Sequence, residues 1–182
     1  MSWIDNKRWA DNFMPHIKAI LGMQFLGEAP YEEDIKRVTD LIVLRMYPVR
    51  IAVRMREKKY AQNKDYLQEF TIRNNPPGKF ETELQKIISG FGDFMFYGFE
   101  DEVRNRVGTW NLIDLSVFRK NYSDMLLKLH PGIIPGERKK NYDETWFQVF
   151  KYKDFPPDLI KASGRGLRTN TQKSLIKVEP AP

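Results

Sequence analysis

RIAVRMREKKY (Arg50–Tyr60) alternates apolar and cationic residues before it runs into a cluster of charge. In an extended chain successive side chains point to opposite faces. Ile51, Val53 and Met55 therefore share one face, and Arg50, Ala52, Arg54 and Arg56 share the other. The apolar side predicts a strand that lays that face on a core. The other side carries a row of arginines, and guanidiniums held close repel unless carboxylates or a bound anion share the space.

Outward from this strand, DLIVL (Asp40–Leu44) is a short run of β-branched residues and leucine, separated from it by a turn around Tyr47 and Pro48. The two runs predict an antiparallel hairpin. KKYAQNKDY reads as a polar loop, and EFTIR (Glu69–Arg73) alternates again, with Phe70 and Ile72 on one side and Glu69, Thr71 and Arg73 on the other. Upstream, Trp9, Phe13, Ile17, Ile20 and Leu21 fall at helical spacing, with Asp5 as a cap and Pro15 imposing a kink or two short helices. NNPPGK breaks the chain, and FETELQKIISGFG then places Phe80, Leu84, Ile87 and Ile88 on one helical face, with Thr82 or Glu81 in the first turn and closure at Gly90 or Gly92.

DFMFYGF and TWNLIDLSVF predict strands joined by EDEVRNRVG, a polar link or short helix. RKNYSDMLLKLH predicts a helix that stops at Pro131, and WFQVFKY a strand that follows a loop. ASGRGLRTNTQKSLIKVEPAP lacks periodic apolar residues and predicts a flexible end. The order of elements predicts an α/β (or α+β) fold with a mixed central sheet flanked by helices. The expected boundaries are a single domain over 1–160 and a flexible basic C-terminal tail over 161–182.

With 182 residues, 41% hydrophobic, the chain has the length and apolar content of about one domain. Of its net charge of +6, the last 22 residues carry +4, so the basicity belongs mostly to the tail. Such a tail is either a solvated end or a contact for anionic partners. The chain has no cysteine, which excludes disulfides, thiolate metal sites and cysteine nucleophiles, and fits a reducing compartment. No apolar run approaches the ~20 residues that span a bilayer, and MSWIDNKRWADNF does not read as a signal peptide. The expected location is cytoplasmic.

His16 and His130 are far apart, each beside a proline, and neither has a partner at metal-ligand spacing. There is no GxxxxGK[ST] loop, and SGRGLR has no predicted strand before it. Carboxylates and arginines remain. Asp40 opens a buried strand, and twelve residues later the next strand carries Ala52-Val53-Arg54. This layout between Asp5 and Phe99 resembles the PD-(D/E)XK nuclease core, in which an acid at a strand end is followed on the neighbouring strand by Glu-x-Lys. Two carboxylates there hold a divalent cation that lowers the pKa of an attacking water, and a cation nearby stabilises charge building on phosphate. The resemblance implies Mg²⁺ or Mn²⁺, with Asp40 as metal ligand, Glu69 as a second carboxylate and Arg54 as the charge stabiliser. The sequence departs from the pattern at Ala52, where the second acid belongs, and at Arg54, where lysine belongs. A literal Glu57-Lys58-Lys59 follows, but its parity puts Glu57 and Lys59 on the Ile51 side unless a bulge turns them. Glu32, Glu33 and Asp34 are further acids from which a ligand could come.

A second set of blocks, DLIVL, RIAVRMR, EFTIR, TELQKI and GDFMFYGF with W-x-L-x-D-L from Trp110 to Leu115, resembles a family of uncharacterised phage and bacterial proteins over Ile35 to about Arg119. That resemblance implies one domain and a phage or mobile-element setting, in the host cytoplasm or associated with the virion, and carries no activity.

If RIAVRMR and EFTIR are sheet neighbours, Arg54, Arg56 and Arg73 converge with Glu69 and Thr71, since facing Cβ atoms on paired strands lie about 4.5–5.5 Å apart. Two readings stay open. One is an internal network with Glu81, Glu83 and Asp93 as partners. The other is phosphate contact by Arg54, Arg56 and Arg73, extended by Lys79, Arg165 and Arg168, with the tail adding salt-sensitive attraction. The aromatic cluster Phe91, Phe94, Phe96, Tyr97, Phe99 and Trp110 reads as core at strand spacing rather than as a stacking platform. The function expected is a phage-type nucleic-acid-processing or nucleic-acid-binding protein, including a metal-dependent nuclease with a degenerate ExK motif. The alternative is a non-catalytic accessory or structural protein that binds a phage or host protein.

Overall fold

The computed structural model describes residues 3–22, 26–28, 41–43, 49–75, 81–103, 105–141 and 144–170. Helices α1 (Trp3–Asp11) and α2 (Met14–Leu21) come first, then strands β1 (Leu26–Glu28), β2 (Leu41–Val43) and β3 (Val49–Arg56). Helix α3 (Lys58–Ala61), strand β4 (Glu69–Arg73) and helix α4 (Glu83–Ile88) lead to β5 (Phe94–Glu100) and β6 (Val107–Asp114). Helix α5 (Leu115–Leu127), β7 (Glu137–Lys140), β8 (Trp146–Lys151), β9 (Ile160–Arg165) and β10 (Arg168–Asn170) complete the order.

The fold is α+β, with a mixed large sheet in the order β1-β2-β3-β5-β6-β9-β10 and a three-stranded antiparallel sheet in the order β4-β8-β7. The hairpin expected between the first two apolar runs is present, with Leu41 opposite Ile51 and Val43 opposite Val49. β5 lies parallel to β3 along six consecutive partners, from Ile51–Phe94 to Arg56–Phe99, and β6 and β9 continue antiparallel. Because β5 takes that whole flank of β3, the condition under which EFTIR would be its sheet neighbour is not met. β4 pairs with β8 instead, Thr71 opposite Val149 and Arg73 opposite Phe147.

Two cores lie on the two faces of the large sheet. Ile51, Met55, Phe96, Trp110 and Leu112 pack against Phe13 and Ile17 at the α1–α2 junction. On the opposite face Ala52, Met95, Tyr97, Phe99 and Ile113 meet Phe70 and Ile72 of β4, Phe150 of β8, Leu84 and Ile87 of α4 and Phe118 of α5. The apolar side of RIAVRMR thus faces a core as predicted, and the side with the arginines begins in a second core at Ala52. The aromatic residues Phe96, Tyr97, Phe99 and Trp110 are buried, and Phe91 and Phe94 half-buried.

Local chemistry accounts for the ends of the helices. Thr82 and Gln85 form a reciprocal capping box, Gln85 N donating to Thr82 Oγ1 at 3.2 Å and Thr82 N to Gln85 Oε1 at 2.7 Å. α1 and α2 are two helices rather than one kinked helix, with Pro15 in the first turn of α2. Asp5, expected as a cap, lies within α1. The run TWNLIDLSVF divides at Asp114, whose carboxylate caps α5 by accepting from Ser116 N at 2.8 Å and Val117 N at 3.2 Å. Burial alone would raise the Asp114 carboxyl, but the Ser116 and Val117 hydrogen bonds and nearby Lys161 outweigh it and hold it below its ordinary range.

Four expectations of loop or tail give way to structure. KKYAQNKDY contains α3, and ERKK is the edge strand β7. The expected domain boundary after residue 160 falls inside the large sheet, because β9 and β10 are strands of it. SGRGLR accordingly spans the β9–β10 hairpin. The signal was hidden because β9 offers only small residues inward. Gly164 lies opposite Trp110, whose indole Nε1 donates to Gly166 O at 3.0 Å. Residues 171–182 of the expected tail lie outside the described residues.

α2 is fastened to β6 by a hydrogen bond from Val107 N to His16 Nδ1 at 2.6 Å, which only the neutral imidazole accepts. Burial, with Arg106 nearby, lowers the His16 pKa below its ordinary 6.5. The unfolded chain therefore takes up this proton at higher pH than the folded one, and stability falls as pH drops below about 7. Denaturant titrations are expected to lose up to about 1 kcal/mol between pH 7.5 and 5.5, a difference that His16→Gln removes. An equal pH dependence in that variant would assign the effect elsewhere.

Candidate anion-binding cleft

The arginine face of β3 meets the polar side of β4 across the gap between the two sheets. Arg54, Arg56 and Arg73 do converge, although by the packing of separate sheets and not by strand pairing. Arg56 Nη1 donates to Thr71 Oγ1 at 3.0 Å, and Thr71 Oγ1 is 3.3 Å from the Tyr97 hydroxyl below it. Arg54 Nη1 donates to Glu83 Oε2 at 2.6 Å, and the same oxygen accepts from Arg73 N at 2.8 Å. Glu83, placed by the capping box in the first turn of α4, thereby ties β3, β4 and α4 together. Of the acids expected as internal partners, Asp93 accepts from Arg50 N at 2.7 Å.

Arg54, Arg56 and Arg73 line a cleft of about 310 Å³, walled also by Glu57 and by the aromatic residues Trp9, Tyr60 and Trp146. The guanidiniums are not equivalent. Arg54 is neutralised by Glu83. Arg56 is half-buried, lies 4.1 Å above the Tyr60 ring and 5.9 Å from Phe147, and has no carboxylate within 4.0 Å among the described residues. Thr71 takes one of its five N–H donors, which leaves a flat, stacked donor group on the wall of the cleft.

Glu69 is buried at the start of β4, opposite Lys151. Burial pushes its carboxyl above the ordinary range, opposed by Lys139, Arg56 and Lys151. Among the described residues no three His, Asp or Glu side chains stand close enough to hold a metal ion. Glu137, the acid whose charge reaches Glu69, is itself 3.2 Å from Lys139. Glu69 in this cationic company does not fit one half of a carboxylate pair for Mg²⁺ or Mn²⁺. Asp40 and Lys79 lie outside the described residues.

Position 52 contributes no ligand, since Ala52 is 2% exposed within the core. The literal Glu57-x-Lys59 is neither on the core face nor on the arginine face. The strand ends at Arg56, and Glu57 takes the N-cap position of α3 at the rim of the cleft, where its Oε2 accepts from Lys59 Nζ at 2.7 Å. Arg165 ends β9 and Arg168 begins β10, so β5 and β6 separate them from β3. Three strand spacings to β9 and four to β10 amount to roughly 14 and 19 Å, which places both apart from the cleft.

Trp9, Tyr60 and Trp146 were not legible as site residues. Trp146 begins a strand that reads as core, and only its partner strand shows why it stays accessible. Arg138 of β7 lies 4.5 Å above its ring, with Lys140 at 5.8 Å. Among the described residues no helix is long and apolar enough to cross a membrane. No protein-family model, no curated protein and no solved structure matches this chain.

Proposed function

We propose that this chain binds nucleic acid through the cleft between β3 and β4, with Arg56 as the phosphate clamp. The observation that carries this reading is the state of Arg56, a half-buried guanidinium stacked on Tyr60 with no carboxylate partner among the described residues. A half-buried guanidinium with no carboxylate within 4.0 Å among the described residues favours an anion, and a planar fork on an aromatic face suits a phosphate bidentately. Arg73 of β4 lines the same cleft, and Arg138 of β7 lies over Trp146 on its wall.

The phage-type setting is proposed on the sequence blocks quoted above. The finer reading, a PD-(D/E)XK-like core, is supported by the antiparallel β2–β3 hairpin and by β5 running parallel to β3 after a crossover that includes α4. No cleavage step is derived from it, because Ala52 and the surroundings of Glu69 supply no acid pair. The alternative, an accessory protein that takes an acidic partner protein, is favoured by the Arg54–Glu83 pair, which shows one arginine already engaged internally.

Fluorescence anisotropy with short labelled oligonucleotides near 50 mM salt tests the reading. Arg56→Glu is expected to weaken binding at least tenfold, and Arg56→Gln to reduce the slope of log affinity against log salt by about 1. Arg165→Gln, at the other side of the sheet, serves as the comparison and is expected to change little. Binding to no oligonucleotide, or equal binding by Arg56→Glu, would reject the reading. Divalent-metal-dependent cleavage lost in Asp40→Ala would replace it with the nuclease.

A further inference from the structure

We infer that the cleft selects unpaired nucleic acid and that Trp146 is the platform on which one base stacks. The inference rests on the phosphate-clamp reading of Arg56 and deepens it.

Trp146 is held as a fixed surface. Its backbone N donates to Asn75 Oδ1 at 2.7 Å, and its carbonyl accepts from Asn74 N at 2.9 Å. It pairs with Lys140 across the ladder, so it stands on a strand end anchored on both flanks. Arg138, 4.5 Å over the ring, and Lys140, at 5.8 Å, orient the indole from β7 by cation–π attraction. The residue is half-buried and lines the same cleft as Arg56. Phe147, the residue after Trp146, lies 5.9 Å from the Arg56 guanidinium, and both Arg56 and Trp146 line the cleft.

The volume of about 310 Å³ is near the lower end of small-molecule sites, which run from ~300 to 1,000 Å³. That suits one nucleotide unit and not a duplex. A double helix can bring phosphates to Arg56, but its bases are already stacked and offer only their edges in the grooves. A base face reaches a recessed indole only where the strand is unpaired, and single-stranded DNA and RNA share that chemistry.

The test compares a labelled oligothymidylate, an oligouridylate and a hairpin duplex of equal charge, binding the full chain and its variants at one salt concentration. Wild-type protein is expected to bind one or both single strands at least tenfold more tightly than the duplex. Trp146→Ala is expected to lose roughly tenfold in single-strand affinity while duplex binding stays unchanged, the range of one stacked base. Trp146→Tyr, which keeps a stacking face, is expected to recover most of it, and thermal melts confirm that each variant is folded. Equal affinity for single strand and duplex, or unchanged single-strand affinity in folded Trp146→Ala with Arg56→Glu still weakened, would overturn this inference and leave the phosphate clamp standing. Loss of neither variant's binding, or no binding at all, would overturn both.

Discussion

Replacing Phe70 with alanine is expected to remove about 4 kcal/mol of folding stability, the largest single effect foreseen for this chain. Phe70 is 0% exposed and lies where β4, β8 and α5 meet. Its ring stacks on Phe150 at 5.4 Å and Tyr152 at 5.3 Å, and also meets Tyr97, Phe118 and Phe155 within 6.4 Å. Truncation removes both the transfer free energy of the ring and these aromatic contacts, each worth about 0.5–1.5 kcal/mol beyond area. The neighbouring rings are anchored on different elements and cannot collapse together into the space. Set against a total stability of about 5–15 kcal/mol, the variant should unfold at much lower denaturant concentration. A loss below about 1.5 kcal/mol would show that the cluster repacks. Because Phe70 alternates with Thr71 on β4, the same variant should blunt oligonucleotide binding by loosening the partner of Arg56.

Glu83→Gln is expected to act in two directions. It removes the charge that neutralises Arg54 and weakens the acceptor shared with Arg73 N. Breaking a fully buried pair costs about 3–5 kcal/mol, and because Arg54 and Glu83 keep 19% and 16% exposure, we expect nearer 2 kcal/mol here. Freed from its carboxylate, Arg54 becomes a second guanidinium available to the cleft, so oligonucleotide affinity should rise about three- to tenfold while stability falls. Adding Arg54→Met to Glu83→Gln should abolish the gain in affinity and recover part of the stability, and the double-mutant cycle measures the coupling. Unchanged stability in Glu83→Gln would reduce the pair to an ordinary surface contact, and unchanged affinity would mean that Arg54 does not turn toward the ligand.

Much of the local structure was legible from residue order alone. The alternation of Ile51, Val53 and Met55 with the arginines, the hairpin with the preceding apolar run, the two helices around Pro15 and the amphipathic face of α4 all follow from side-chain period, proline geometry and capping. These are properties of neighbours along the chain. The arginines Arg54, Arg56 and Arg73 were equally legible as a set. Their different fates were not, since whether a guanidinium meets a carboxylate depends on where α4 delivers Glu83.

The tertiary structure decided the rest. A period of two states which residues share a face, but not which strand lies alongside, and β4 went to β8 because that ladder buries Phe70 and Ile72 in the core beneath α5. β9 carried no periodic apolar signal, because its buried positions are Ala162 and Gly164, the latter opposite Trp110. The cleft itself joins β3, β4, β8, α1 and α3, which lie far apart in sequence. Trp146 enters it through the pairing of β8 with β7. Sequence by itself determined the faces of the elements. Long-range burial decided which faces met, and so left Arg54 neutralised and Arg56 without a carboxylate among the described residues.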